Sequence, residues 1–266
     1  MYLTAQLDLE SEDLAQLALL AAEDIGQQGQ LPAAMQALAA LRAELLPPLL
    51  MLPGALRWEA LVSRFYGELG FGGDWRAFYT LDHSLLDRVL VRRQGIPVLL
   101  GILLIHLGRR LGLSLAGICF PGHFLLRLDG ERPVYFDPFE GRPLSRAELQ
   151  LRLRGALGDL ARLEAKHLKP ASQRAILQRL INVSKSAALA QQAHPEALRS
   201  CELLLTLDPD DPYERRDRGF IYEQLDCPHQ AAEDFRHFIK HCPADPLADL
   251  LKGQVSRLVE TPQVIH

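Results

Sequence analysis

The chain has 266 residues, enough for one large domain or two ordinary ones, and its 48% hydrophobic and 23% charged residues are the balance of a globular protein in water. A formal net charge of −4 argues against nucleic acid as a partner, since such binders carry a strongly basic surface. The longest largely apolar run, residues 96–107, is shorter than the roughly 18 residues of a membrane-spanning helix, so no membrane partner is expected.

Leu14, Leu17, Ala18, Ala21 and Ile25 recur at helical spacing behind Glu12 and Asp13, two acids suited to a first turn. Leu31-Pro32 opens a second helix through Met35, Leu38, Leu41 and Leu45, which Pro47-Pro48 is expected to stop. A third helix is expected from about Leu56 to Leu69, ended by Gly70. The segment Gly70-Phe71-Gly72-Gly73-Asp74-Trp75 is a glycine-rich turn without the lysine and Ser/Thr of a phosphate loop, so nucleotide binding is not expected. A short helix from Leu85 to Arg93 leads to Gly95-Ile96-Pro97. Proline suits the first turn of a helix, because its missing N–H would be unpaired there anyway. The helix from Pro97 to Arg110 is apolar on nearly all sides, as a central element packed between layers would be, and Gly112 is its stop.

Two strand-like runs follow, Leu115 to Leu128 (interrupted at Pro121-Gly122) and Val134 to Phe136, joined by an Asp129-Gly130 turn. This arrangement puts His123 on the first strand and Asp137 at the end of the second. Strand alternation would set Arg127 on the same face as His123, an anion-binding corner. Ser145 caps the start of another helix. Beyond a linker-like stretch, Lys166 to Pro170, a repeat is visible. Ala197, Leu204, Leu205, Pro209, Asp211 and Pro212 recur as Ala231, Phe238, Ile239, Pro243, Asp245 and Pro246, each offset by 34 residues. That is the tetratricopeptide period, and Gly219, Tyr222, Ala231, Phe235 and Pro243 fall on the spacing of its consensus. Two units are fewer than a free-standing array needs, so they are expected to pack against the preceding domain.

Cys119, Cys201, Cys227 and Cys242 lie far apart without a CxxC pair. Met1-Tyr2-Leu3-Thr4 lacks the basic start and apolar core of a secretory leader. Reduced thiols in a cytoplasmic protein are expected. His83, His106, His123 and Asp137 could converge on a metal, but there is no HExxH or His-x-His spacing, and neither metal nor cofactor is expected.

From Ser84-Leu85-Leu86 through Arg92-Arg93-Gln94-Gly95-Ile96-Pro97, Arg110-Leu111-Gly112-Leu113, Phe120-Pro121-Gly122-His123-Phe124 and Phe136-Asp137-Pro138-Phe139-Glu140-Gly141, the chain resembles the bacterial SirB-type family. With the repeats, the resemblance covers roughly residues 60–250. It implies a transglutaminase-like domain followed by tetratricopeptide-like repeats. In an active site of that superfamily, a cysteine at the N-terminus of the buried helix is the nucleophile, a histidine takes its proton, and an aspartate orients the imidazole. The resemblance matches His123 to the histidine and Asp137 to the aspartate. The cysteine position falls on Pro97 or a neighbour, and none of Ile96, Pro97 and Val98 can be a nucleophile. Cys119, four residues before His123, is a possible substitute, although free cysteines are most often small buried hydrophobes.

The expected fold is α+β and predominantly helical: a degenerate transglutaminase/papain-like core with a small antiparallel sheet, followed by tetratricopeptide-like α-hairpins. The domains are expected at residues 1–165, with N-terminal helices over 1–70, and at residues 166–266. The function implied is that of a pseudoenzyme that binds a protein or peptide partner, the repeats holding the partner and His123 and Asp137 lining a pocket. The alternative is a hydrolase or amide-cleaving enzyme of altered nucleophile, using His123 and Asp137.

Overall fold

A computed structural model describes residue 9 and residues 11–260; residues 1–4, read above for a leader, lie outside them. Helix α1 (Leu14–Ile25) starts where the Asp13 carboxylate accepts the Ala15 N–H at 3.0 Å, so this acid caps the helix from outside its first turn. Helix α2 (Leu31–Leu50) runs through Pro47 and Pro48 instead of stopping before them. Leu45 and Leu49, one turn apart and both buried, anchor that end in the core, and tertiary burial outweighs the two prolines. Helix α3 (Gly54–Val62) begins earlier than expected and widens into a π-type turn over Ser63–Glu68.

The glycine-rich turn has a structural role. Gly72 donates to the Arg93 carbonyl at 3.0 Å, and Gly95 donates to the Gly72 carbonyl at 3.1 Å. These bonds lace residues 70–75 to the chain just before the central helix, which brings Trp75 to the site described below. The single short helix expected over 85–93 is divided into α4 (Leu81–Ser84) and α5 (Leu86–Arg92), because Leu85 between them is extended at φ −112° and ψ 126°. Helix α6 (Pro97–Arg110) has the expected bounds, with every residue from Val98 to Gly108 buried.

Among the described residues four strands are present where two were expected: β1 (Leu115–Ile118), β2 (Leu125–Leu128), β3 (Val134–Asp137) and β4 (Arg142–Leu144), paired antiparallel in that order. The run from Leu115 to Leu128 is two strands because Phe120-Pro121-Gly122-His123 folds into a turn. His123 N–H donates to the Phe120 carbonyl at 2.9 Å, and Gly122 has φ +72°. Proline second and a left-handed glycine third is the composition of a type II turn. His123 therefore sits in the turn ahead of β2, not on a strand. Strand β4 lay hidden because Pro143 weakens its strand signal, yet β4 is an edge strand, where a missing donor is tolerated. The sheet settles onto α6 at Gly101, where a Cβ would lie 2.5 Å from the Phe124 ring.

Helix α7 (Arg146–Leu157) opens with a capping box between Ser145 and Glu148. A short 3₁₀ turn over Ala165–Leu168 leads to α8 (Gln173–Ala190), α9 (His194–Leu207), α10 (Pro212–Gln224), α11 (Pro228–His241) and α12 (Pro246–Glu260), each packed on the next. At Gly219 a Cβ would meet the Phe235 ring at 2.6 Å, so the repeat's glycine is what lets α10 and α11 close. Helices α8 and α9 also pack on α1, and α8 on α4 and α6, so the first repeat unit shares a core with the helices before it, while α11 and α12 bury a separate cluster of Ala231, Phe235, Phe238, Ala248 and Leu251. No helix among the described residues is long and apolar enough to cross a membrane.

Candidate functional site

Ile96, Pro97 and Val98, at the start of α6, line a cavity of about 260 Å³ together with His123, Asp137, Arg152 and Arg179. The type II turn presents His123 to it. Asp137 is fixed by the turn between β3 and β4: its Oδ1 accepts the N–H groups of Phe139 at 2.7 Å and Glu140 at 3.2 Å, and its carbonyl accepts from Gly141 at 2.9 Å. Gly141 is left-handed at φ +68°, with Tyr66 packed where a Cβ would project. The Tyr66 hydroxyl donates to the Pro138 carbonyl at 2.7 Å. Burial and then the nearby Asp137 charge push that phenol well above its ordinary range.

Arg152 of α7 holds the centre of the site. One guanidinium nitrogen bridges Asp137 Oδ2 at 2.7 Å and Glu140 Oε1 at 2.9 Å, while the other lies 3.4 Å from His123 Nδ1. Arg152 is thus the ion-pair partner of Asp137, and among the described residues no hydrogen bond joins Asp137 to the His123 imidazole. Burial and then Arg152, with Arg179 adding to them, press His123 below its ordinary value, against the opposing pull of Asp137 and Glu140. A guanidinium can only donate, so Nδ1 accepts and the neutral ring carries its proton on Nε2.

Arg179 of α8 reaches the same cavity half-buried, and makes no hydrogen bond or ion pair among the described residues. Most of the remaining wall is aromatic. Trp75 lies 4.3 Å from Phe139 and 5.9 Å from Phe78, centroid to centroid. Trp75 and Tyr79 remain 65% and 61% exposed, which sets them at the rim.

The other candidates lie elsewhere. Arg127, on β2 opposite Ala116 and Tyr135, donates to Asp129 at 2.8 Å and does not line the cavity. The turn at Pro121-Gly122 breaks the alternation that would have joined it to His123. Cys119 is outside the lining as well. The residue is exposed and not the buried hydrophobe expected of a free cysteine; its Sγ is turned toward the Ala175 carbonyl at 3.8 Å, and partial desolvation there raises the thiol above its usual value despite Arg179. His83 Nδ1 lies 2.7 Å from the Ala77 carbonyl, and His106 Nδ1 lies 2.7 Å from Asp13. Among the described residues, no group of three or more His, Cys, Asp or Glu is placed to hold a metal. Sequence reasoning missed Arg152, Arg179 and the aromatic wall. Only Leu149 and Leu153, the buried face of α7, hinted at the first, since Arg152 borders them.

The sequence matches the transglutaminase-like superfamily over residues 13–182 and the tetratricopeptide repeat over residues 185–256. It is 49% identical over 210 residues to a UPF0162 protein of Vibrio cholerae, covering 78% of each chain. It is 38% identical over 212 residues to protein SirB1 of Salmonella typhimurium, again covering 78% of each. Identity to the UPF0162 protein YchA of Escherichia coli is 37% over 220 residues and 81% of each chain. No solved structure matches the chain. A transglutaminase-like core closed by tetratricopeptide helices, with this degree of identity over most of the length, means that the chain belongs to the SirB1/UPF0162 family of the transglutaminase-like superfamily.

Proposed function

We propose that this chain is a cytoplasmic, non-catalytic member of its family, taking a peptide or small carboxylate in the α6 pocket and a protein partner on the tetratricopeptide helices. One observation carries the reading: Pro97 opens α6 in the same cavity as His123 and offers no nucleophile where a thiol would be needed. Two further features support it. Burial and the Arg152 guanidinium 3.4 Å from Nδ1 make His123 a weaker base than a free imidazole. Cys119, the substitute nucleophile of a hydrolase reading, lies outside the cavity with its thiol made less acidic.

The test is exposure of the full-length chain to thiol-directed acyl probes. The binding reading expects no adduct at Cys119, Cys201, Cys227 or Cys242, and identical results for the His123→Ala variant. Rapid labelling of Cys119 that His123→Ala abolishes would overturn it.

A further inference from the structure

Resting on that reading and sharpening it, we propose that the α6 pocket recognises a free carboxylate attached to an aromatic or bulky apolar group, the chemistry of a peptide's C-terminal residue, with Arg179 as the anion-binding residue. The cations in the cavity differ in their commitments. Arg152 is bonded to Asp137 and Glu140, and Glu140 is bonded in addition to Arg142 at 2.7 Å. Arg179 alone among the guanidiniums lining the cavity has no partner within the described residues. A half-buried arginine without a counter-ion is poorly compensated, and a planar carboxylate matches its fork of donors. His123 supplies a second, neutral donor through Nε2–H.

The acidic neighbours set the charge of the ligand. Asp137 lines the cavity too, and with Glu140 it is held by Arg152, so Arg179 is the cation left without a carboxylate of its own. One such cation matches the single charge of a carboxylate, and leaves the second charge of a phosphate monoester uncompensated beside Asp137. The apolar half of the ligand follows from Trp75, Phe78 and Phe139, a connected set of rings with Trp75 largely exposed. Size decides for an end and against an extended segment: about 260 Å³ lies under the range of drug-sized pockets and suits one residue.

The experiment is calorimetric titration of the full chain with N-acetylphenylalanine, its primary amide, N-acetylglycine and phenyl phosphate. The acid should bind, with the amide, N-acetylglycine and phenyl phosphate each weaker by about tenfold or more. Arg179→Gln should weaken the acid by about tenfold or more without lowering the melting temperature, and Arg179→Lys should restore part of the loss. No binding of the acid at millimolar concentration, an amide or phosphate that binds as well as the acid, or an unaffected Arg179→Gln would overturn the proposal. Mass spectrometry of the recovered ligands separates the two layers. A chemically altered ligand would sink the non-catalytic reading, while the acid-to-amide ratio would still decide carboxylate recognition.

Discussion

Arg152 donates to Asp137 at 2.7 Å, in the place where a catalytic aspartate would receive the imidazole N–H. The pair is largely buried, with 15% of the Arg152 side chain and 5% of the Asp137 side chain exposed. Removing the cation strands a buried carboxylate, so Arg152→Ala should cost about 3–5 kcal/mol in urea denaturation. Arg152→Ala combined with Asp137→Ala should cost less than the two single changes added together. Strict additivity would mean that the pair is incidental to the fold.

His123 gives the site a pH dependence of definite sign. Its neighbours are Arg152 of α7, Arg179 of α8, Asp137 of β3 and Glu140 of the following turn, and burial with the two arginines wins. Its folded pKa lies below the free value of about 6.5. Above that pH the ring is neutral in both states and contributes nothing. As pH falls through about 6.5 the unfolded chain binds the proton first, so stability declines until the folded pKa is reached. His123→Gln should remove this part of the decline, read as the difference between variant and wild-type melting temperatures from pH 7 to pH 5. Identical curves would show that the ring titrates as it does in the unfolded chain.

Asp13 joins three tasks. It caps α1, accepts from His106 Nδ1 at 2.7 Å and pairs with Arg110 at 3.2 Å. Burial alone would raise its pKa, but the bonds to His106 and Arg110 prevail and hold the carboxyl well below the usual range. The stabilisation is therefore complete above about pH 4 and is lost as pH falls below it. Asp13→Ala removes the cap and deprives buried His106 of its acceptor, at about 2–4 kcal/mol by chemical denaturation near neutral pH. A smaller acid-induced loss in the variant than in the wild type would accompany it.

The parts of the fold legible in the sequence were those with a local cause. The α6 bounds follow from Ile96-Pro97 and Gly112, the Ser145 cap from its own hydroxyl, and the repeats from their 34-residue spacing. The same FPGH motif that flagged His123 also encodes the turn that takes it off the strand, a signal present and underweighted. Arg152 and Arg179 were illegible for a different reason. They come from helices 29 and 56 residues beyond His123, and no periodicity tells which arginine on an exposed-looking helix will meet a turn so far away in the chain. The α2 prolines failed as a stop because buried Leu45 and Leu49 supply a tertiary force that local propensity does not contain.

The two repeat units close their paired helices by different means. Gly219 of α10 meets Phe235 of α11, a large ring against a missing side chain. The residues 34 positions earlier are Lys185 of α8 and Cys201 of α9, a long side chain over a small one. The lysine has 7% of its side chain exposed and turns its ammonium into α10, where Glu214 accepts at 2.7 and 2.8 Å and Asp217 at 3.0 Å. This ion cluster therefore ties the first unit to the second. Lys185→Ala leaves Glu214 buried without its cation and should cost about 3–5 kcal/mol, and Glu214→Ala a similar amount. Lys185→Met with Glu214→Leu keeps the volume without the charges, and should recover most of the loss, because a buried pair repays little beyond its own desolvation. Urea denaturation of the full chain compares the three variants. A double variant as unstable as Lys185→Ala would assign the junction's strength to the charges themselves.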